Sequence, residues 1–364
     1  MPRSPTPKRR ATLASLAAEL KVSRTTISNA YNRPDQLSPE LRERVLAAAK
    51  QMGYPGPDPV ARSLRTRKAG AVGLIITEPL NYSFRDAAAL DFVAGLAESC
   101  EAEGQGLLLV AAGPTRSVKD GSAAVLAAGV DGFVVYAASD DDPYLPVLEQ
   151  RGLPIVVVDQ PTDLAGASRV GIDDRAAMRQ IAEYVVGLGH REIALLTMRL
   201  GRQWPYPGAS AVVGQDRLAS PHFHAQGERI RGVCDAMKGA GLEPDSLTVV
   251  ETYVHGPAAG HSAAEVALAA NPRITALMCT ADVLALSAMD YLRSRGIYVP
   301  GQMSVTGFDG VPDALARGLT TVAQPSLEKG RRAGYLLNHP PHTGIPAVEI
   351  LDTELIRGRT AVAP

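Results

Sequence analysis

Cysteine, aromatic residues and long apolar runs are all scarce in this sequence of 364 residues. The three cysteines are odd in number and widely separated, which excludes a disulfide framework and favours reduced thiols in a cytoplasm. Because aromatic residues make up only 5%, aliphatic side chains must supply most of the core. No apolar run reaches the ~20 residues of a membrane-spanning helix, and no signal peptide is recognisable. We therefore expect a cytoplasmic protein with no membrane partner.

The sequence also lacks the common motifs of catalytic and nucleotide-binding sites. It has no GxGxxG after a strand, no glycine-lysine phosphate loop and no GxSxG nucleophile turn. His222 and His224 lie two residues apart in a predicted loop, which is too weak a pattern for a metal site. We predict no enzymatic activity, no cofactor and no metal.

Charge is distributed unevenly along the chain. Residues 1–68 carry fourteen Lys and Arg against five Asp and Glu, a net charge of about +9. The remaining residues carry 23 basic and 33 acidic side chains, so the overall charge is only -1. A basic head on an acidic body indicates a polyanionic partner that binds at one end of the protein.

The basic head has the pattern of three short helices. Thr12, Ser23 and Ser38 each precede a segment with apolar residues at helical spacing, and each suits a helix N-cap. A tight break separates the first two predicted helices, as in a helix-turn-helix motif. Between 24 and 32, the polar side chains share one face of the second helix and the apolar ones share the other. Arg and Asn on that exposed face suit guanine and adenine edges in the major groove.

From residue 71 onward, short aliphatic runs alternate with helical patterns. Such runs indicate parallel strands buried on both faces, and their number favours two doubly wound subdomains. The predicted strands lie at 71–76, 106–112, 132–136, 154–159, 192–197, 275–280 and 303–308. Residues 199–226 show no clear period and are predicted to form a long loop.

These features resemble the LacI/GalR family of bacterial transcription regulators. The resemblance is carried by "TLASLAAELKVSRTTISNAYN", "GY" and "ARSL" in the head, and by "GLGHREIALLT" and "SVTGFDGVPDALARGLTTVAQP" in the body. It implies an all-α helix-turn-helix headpiece (11–57), a hinge helix and linker (58–70), and a core like a type I periplasmic binding protein (71–364). The expected N-subdomain spans 71–171 and 325–342, and the expected C-subdomain spans 172–324 and 343–364.

The resemblance also implies roles for individual residues of the head. Arg24, Thr25 and Asn29 match base-reading positions, and Leu64 matches the hinge leucine that wedges into the minor groove. Asn29 stands where better-known members have Arg or His, so their half-site sequence does not transfer. The full predicted DNA-binding set is Thr12, Leu13, Ser23, Arg24, Thr25, Thr26, Ser28, Asn29, Asn32, Ala61, Arg62 and Leu64.

Candidate effector-binding residues follow the predicted strands of the body, where the loops of two doubly wound lobes meet at a cleft. Their carboxylate, amide and guanidinium groups suit the recognition of hydroxyls by paired hydrogen bonds. Ala281 and Gly310 stand where the family often has Asn and Asp, so two common hydroxyl contacts are missing. The predicted set is Thr77, Tyr82, Phe84, Asp159, Arg229, Asp282, Asp309 and Gln324.

The sequence therefore predicts a ligand-responsive repressor. We expect a homodimer that binds a palindromic DNA operator, with a sugar or nucleoside-like effector in the cleft. The alternative is a small-molecule binding protein or an enzyme on the same fold, without a DNA role. The basic head discriminates against this alternative.

Overall fold

The computed structural model of the protein describes residues 11–57, 66–78, 83–113, 117–253, 256 and 258–364. The chain divides into two compact units, Met1–Ala69 and Gly70–Pro364. The predicted hinge residues Ala61, Arg62 and Leu64 lie outside the described residues, as does Tyr82.

Within residues 11–57, the first unit contains three helices around a small aliphatic core. They are α1 (Leu13–Leu20), α2 (Arg24–Asn32) and α3 (Pro39–Met52), with a short 3-10 turn at Pro34–Gln36. The three predicted caps are confirmed, since the side chains of Thr12, Ser23 and Ser38 accept hydrogen bonds from the first turns of the helices. The buried stripes of the helices meet at Leu16, Ala17, Ile27, Ala30, Val45 and Ala49.

The second unit begins with a six-stranded parallel sheet in the order β12-β5-β4-β3-β1-β2. Separate aliphatic clusters cover its two faces, as the continuous apolar runs predict. The strands are β1 (Ala71–Ile76), β2 (Gly106–Ala111), β3 (Gly132–Tyr136), β4 (Ile155–Val158), β5 (Ser168–Ile172) and β12 (Val348–Leu351). The helices that flank it are α4 (Ala87–Ala102), α5 (Val118–Ala127), α6 (Leu145–Gln150) and α13 (Ser326–Asn338).

A second sheet has the order β10-β9-β6-β8-β7, in which only the edge strand β7 is antiparallel. Its strands are β6 (Ile193–Thr197), β7 (Ser210–Val212), β8 (Thr248–Thr252), β9 (Ala276–Cys279) and β10 (Ser304–Thr306). Its helices are α7 (Asp174–Gly187), α8 (Gln215–Ala219), α9 (His224–Gly239), α10 (Ala259–Ala270), α11 (Asp282–Ser294) and α12 (Pro312–Ala316). β11 (Thr321–Ala323) and β13 (Glu354–Ile356) form an antiparallel pair.

Two sequence-based expectations are corrected by this topology. The segment 343–364 was expected in the second subdomain, but β12 pairs in parallel with β5 and so belongs to the first sheet. The segment 199–226 is not one loop, because it contains β7, α8 and the start of α9. The strand β7 and the helix α8 are not predicted, because segments of three and five residues are too short to show a periodic pattern.

Helices α4 and α13 pack against each other backbone to backbone, and both lie on the same face of the first sheet. A Cβ atom built on Gly330 would lie 2.1 Å from the carbonyl oxygen of Phe92, and one on Gly95 would lie 1.9 Å from that of Leu327. Since only glycine permits this approach, the start of α13 has a fixed position relative to the first subdomain.

Candidate functional site

The exposed face of α2 forms a shallow polar surface in the headpiece. Ile27 and Ala30 anchor the opposite face of the helix in the core. Six residues of the predicted DNA-binding set come together on this surface with Arg33: Leu13, Arg24, Thr25, Ser28, Asn29 and Asn32. The hydroxyls of Thr12, Ser23 and Thr26 instead take part in helix capping, where they fix how α1 and α2 begin.

Two amides on this surface have defined orientations. Asn29 donates from Nδ2 to Oε1 of Gln36 at 3.0 Å, and Asn32 donates to the carbonyl oxygen of Ser28 at 3.0 Å. Arg24 and Thr25 are exposed at the start of the helix. An Asn that pairs with adenine uses both its donor and its acceptor, so pairing with adenine would require Asn29 to release Gln36.

Replacing Asn29 with alanine is expected to lower discrimination at one base pair by about 1–3 kcal/mol. The reason is the loss of the paired donor and acceptor that read adenine. Binding-site selection with the variant and the wild type measures the effect. Gln51→Ala on the exposed side of α3 is the matched control. An unchanged sequence preference for the Asn29→Ala protein contradicts the prediction.

The cleft of the second unit lies where the strand order of each sheet reverses. In the first sheet β3 and β2 flank β1, and in the second β9 and β8 flank β6. Loops diverge at such points and leave a crevice beyond the carboxyl ends of the strands. Accordingly, Thr77 and Glu78 after β1 and Met198 and Arg199 after β6 line one cavity. It encloses about 860 Å³ of space outside protein atoms, which includes space open to solvent.

Five residues of the predicted effector set line this cavity: Thr77, Asp159, Arg229, Asp309 and Gln324. Phe84 is about half exposed and does not line it. Asp282 also lies outside it, since its carboxylate is fully buried and accepts hydrogen bonds from Thr321 Oγ1 at 2.6 Å and Val311 N at 2.9 Å. Asp282 therefore joins β11 to the turn after β10, and its side chain does not line the cavity.

Two of the acidic residues that line the cavity, Asp159 and Asp309, have strained backbone conformations. Asp159 follows β4 with φ 65° and Asp309 follows β10 with φ 127°, conformations that L residues rarely adopt. Such strain persists where the surroundings impose it, and it concentrates at binding sites. Burial, and then the neighbouring Asp282 charge, raises the pKa of Asp309 well above its usual range.

Arg229 is the best-fixed cation of the cleft. Its Nε donates to Asp174 Oδ1 at 2.7 Å, and its Nη1 donates to the carbonyl oxygen of Thr280 at 2.6 Å. Its Cζ lies 3.8 Å from the centroid of the Phe308 ring. The guanidinium is thus held on three sides while it lines the cavity.

The segment after β6 carries ion pairs that join the two subdomains. Arg199 forms one with Glu78, and its Cζ lies between the rings of Phe223 and Tyr253. Arg202 forms another with Asp142 at 3.0 Å, and Nδ1 of His222 lies 2.8 Å from Oδ2 of Asp141. Segment 199–226 therefore bridges the mouth of the cleft, a role that its sequence did not reveal.

Replacing Arg202 with methionine is expected to cost about 1–2 kcal/mol of stability at neutral pH, because Asp142 loses its partner while buried. Burial already raises the pKa of Asp142, so its folded pKa exceeds the unfolded value and ionisation opposes folding as pH rises. The loss should therefore be larger at pH 7 than at pH 5 in urea unfolding.

Arg273→Met is the control for this change, since its ion pair is mostly exposed. A loss that is the same at both pH values, or equal to that of the control, refutes the ion-pair explanation.

Several residues that shape the cleft are not predicted from the sequence. The cavity is also lined by Glu78, Asp86, Gln160, Arg199 and Gln226. Each of these residues follows a strand or belongs to a segment without a periodic pattern of apolar residues. Lys329 was also missed, although a lysine on the buried stripe of the helix starting at Ser326 is an unusual placement. In the described part of the chain, no helix is long and apolar enough to cross a membrane. Nor does that part hold a cluster of His, Cys, Asp or Glu suited to a metal ion.

A helix-turn-helix headpiece and a two-lobed core with a ligand-sized cleft define the class of ligand-responsive transcriptional regulators. A model of the periplasmic binding protein-like domain matches residues 182–361. An HTH-type transcriptional regulator of Mycolicibacterium smegmatis is 74% identical over 365 residues, covering 100% of both chains. Among solved structures, a LacI-family regulator from Corynebacterium glutamicum is 36% identical with a TM-score of 0.74, covering 97% of this chain and 99% of that one. The CelR–cellobiose complex is 26% identical with a TM-score of 0.68, covering 96% and 100%.

The chain belongs to the LacI/GalR family of transcriptional regulators.

Proposed function

We propose that this protein is a repressor that binds a palindromic operator as a dimer. Its affinity for the operator falls or rises when a neutral polyhydroxylated molecule binds in the cleft. A sugar or a nucleoside-like compound is the ligand class. The observation that carries this proposal is the cleft itself, into which the two subdomains bring Asp159 and Asp309 beside Arg229. Carboxyl groups and a guanidinium held in fixed positions suit hydroxyls, which donate and accept at once.

The DNA role rests on the headpiece surface and on charge. We propose base contacts by Arg24, Thr25 and Asn29, and phosphate or supporting contacts by Thr12, Leu13, Ser23, Thr26, Ser28 and Asn32. Residues 11–57 would act as the DNA-binding domain, with 58–70 as the hinge. The alternative, a binding protein or an enzyme without a DNA role, gives no reason for a net charge of about +9 in residues 1–68. We accordingly propose binding without catalysis.

Dimerisation is supported by apolar side chains exposed on the first subdomain. Leu108 lies on the edge strand β2, and Leu90, Val118 and Leu126 lie on α4 and α5, which both pack against that strand. Exposed apolar patches of this kind mark contact surfaces. A two-fold dimer would also match the symmetry of a palindromic operator.

Two measurements on the full chain test the proposed function. A duplex obtained by binding-site selection should bind with an affinity that falls steeply as salt rises, about 10³–10⁵-fold between 50 and 200 mM if six to ten phosphates are contacted. A scrambled duplex of equal length is the control. Equal affinity for both duplexes refutes sequence-specific binding.

Ligand binding can be followed through Trp204, which is the only tryptophan of the sequence. Its ring stacks on Tyr253 with centroids 5.5 Å apart, and Tyr253 contacts Arg199 of the cleft. We expect a sugar or nucleoside that binds to change Trp204 fluorescence. The ligand should change operator affinity by a certain factor, and the operator should change ligand affinity by the same factor. If sugars and nucleosides change neither, the ligand class is wrong.

A further inference from the structure

A continuous polar chain joins the cleft carboxylates of the two subdomains through one buried lysine. Lys329 donates from Nζ to Asp159 Oδ1 at 2.6 Å and to Gln324 Oε1 at 2.6 Å. Gln324 in turn donates from Nε2 to Asp309 Oδ1 at 2.6 Å. Asp159 follows a strand of the first sheet, and Asp309 follows a strand of the second.

The position of the ammonium group is fixed by its helix. Lys329 is only 1% exposed and lies on the buried stripe of α13, next to Gly330. Because Gly330 packs against the backbone of α4, α13 cannot shift relative to the first sheet without a clash. A lysine is rarely buried in this way unless its charge is paired. The pairing with Asp159 and Gln324 satisfies that condition and also sets the orientation of both groups.

We propose that Lys329 is a positioning residue of the ligand site, which fixes Asp159 and Gln324 so that both subdomains present aligned acceptors to one neutral polyhydroxylated ligand. This inference rests on the proposed function. By occupying Asp159 Oδ1, Lys329 leaves Oδ2 to accept from a ligand hydroxyl. By holding Oε1 of Gln324, it directs Nε2 of that amide to Asp309.

The charge balance indicates which ligands Lys329 selects. The cavity is lined by the acidic side chains of Glu78, Asp86, Asp159 and Asp309. The cations that line it, Arg199 and Arg229, are already paired with carboxylates. A phosphorylated sugar would meet an excess of negative charge. An amino sugar would bring a cation to carboxylates that Lys329 partly neutralises. Removing the ammonium should therefore weaken neutral ligands and favour cationic ones.

The experiment compares the wild type with Lys329→Met, Asp159→Asn and the Asp159→Asn/Lys329→Met double variant. Lys238→Met is the matched control, since Lys238 is exposed near the end of α9. The probes are glucose, ribose, cellobiose and adenosine as neutral compounds, glucose 6-phosphate as an anion and glucosamine as a cation. Binding is followed by Trp204 fluorescence, and stability by urea unfolding at neutral pH.

For a neutral probe that binds the wild type, Lys329→Met should lose about tenfold or more in affinity, because a charge-assisted hydrogen-bond network is broken. The ratio of glucosamine to glucose affinity should rise. Lys329→Met alone should lose stability, because it leaves the Asp159 side chain in the cleft without its charged partner. The double variant should recover stability without recovering affinity, and Lys238→Met should behave as wild type.

Two results overturn the role of Lys329. One is a double variant that is no more stable than Lys329→Met, which indicates packing alone. The other is an unchanged order of preference among the probes in a folded Lys329→Met protein. If no neutral probe binds the wild type, the ligand class of the proposed function fails. The stability of the double variant relative to Lys329→Met still decides whether Lys329 fixes Asp159, so the two failures are distinguishable.

Discussion

Arg229→Met is expected to cost about 3–5 kcal/mol of stability and to abolish the response to any cleft ligand. The stability loss follows because Asp174 stays buried after its partner is removed, and breaking a buried ion pair leaves an uncompensated charge. The Thr280 carbonyl loses a charged donor and the Phe308 ring loses its stacked guanidinium as well. The ligand also loses a cation whose position is fixed on three sides.

The pH dependence of this loss identifies its cause. Burial raises the pKa of Asp174, and Arg229 lowers it again, so the variant should have a still higher value. A carboxyl whose folded pKa exceeds its unfolded pKa destabilises the protein increasingly as pH rises through that interval. Urea unfolding of Arg229→Met should therefore show a larger loss at pH 7 than at pH 5.

Asp174→Asn/Arg229→Met is the control variant, because it removes both charges of the pair. It should recover much of the stability but none of the ligand-induced change in Trp204 fluorescence. A stable Arg229→Met protein that still responds to ligand disproves the assignment of Arg229 to the site.

Asp282→Ala is expected to lose about 2–4 kcal/mol of stability while ligand affinity stays within about twofold of wild type. The variant leaves the Thr321 hydroxyl and the Val311 amide without their acceptor in a fully buried place, at about 1–3 kcal/mol for each group. Ligand affinity is spared because the Asp282 side chain does not line the cavity. Chemical denaturation and a fluorescence titration measure the two quantities.

Asp290→Ala serves as the comparison for this experiment, since Asp290 lies on the same helix and is exposed. Should Asp282→Ala keep its stability and lose ligand affinity, the sequence-based expectation of a ligand contact would be right and the structural role wrong.

Local patterns in the sequence predicted the regular parts of the fold. The three caps of the headpiece are hydroxyl residues in front of apolar periods, and seven strands are aliphatic runs long enough to be recognised. β5 and β8 were missed because their polar residues are satisfied only by distant partners. Glu251 of β8, for example, is fully buried, yet it pairs with Arg217 from α8. β12 was missed because it is a half-exposed strand at the edge of its sheet.

The site shows the same limit at the level of single residues. A carboxylate that follows a strand is visible in the sequence, so Asp159 and Asp309 were predicted for the cleft in which the structure places them. Asp282 follows a strand equally well, but a hydroxyl 39 residues further along the chain turns it inward. Lys329 is 170 residues from Asp159, and no local pattern relates the two. Their meeting depends on the chain crossing between the subdomains.

The pairing of β12 with β5 has a consequence for the synthesis of the protein. The first sheet begins at Ala71, yet its last strand is translated only at Val348–Leu351. The packing around the second sheet likewise depends on residues that are translated late, since the Val362 carbonyl accepts hydrogen bonds from Ser304 and His190. Until these segments leave the ribosome, β5 has an open edge on which another chain can add a strand. Nascent chains halted near residue 340 should therefore aggregate, whereas the three-helix headpiece, made first, has already buried its core.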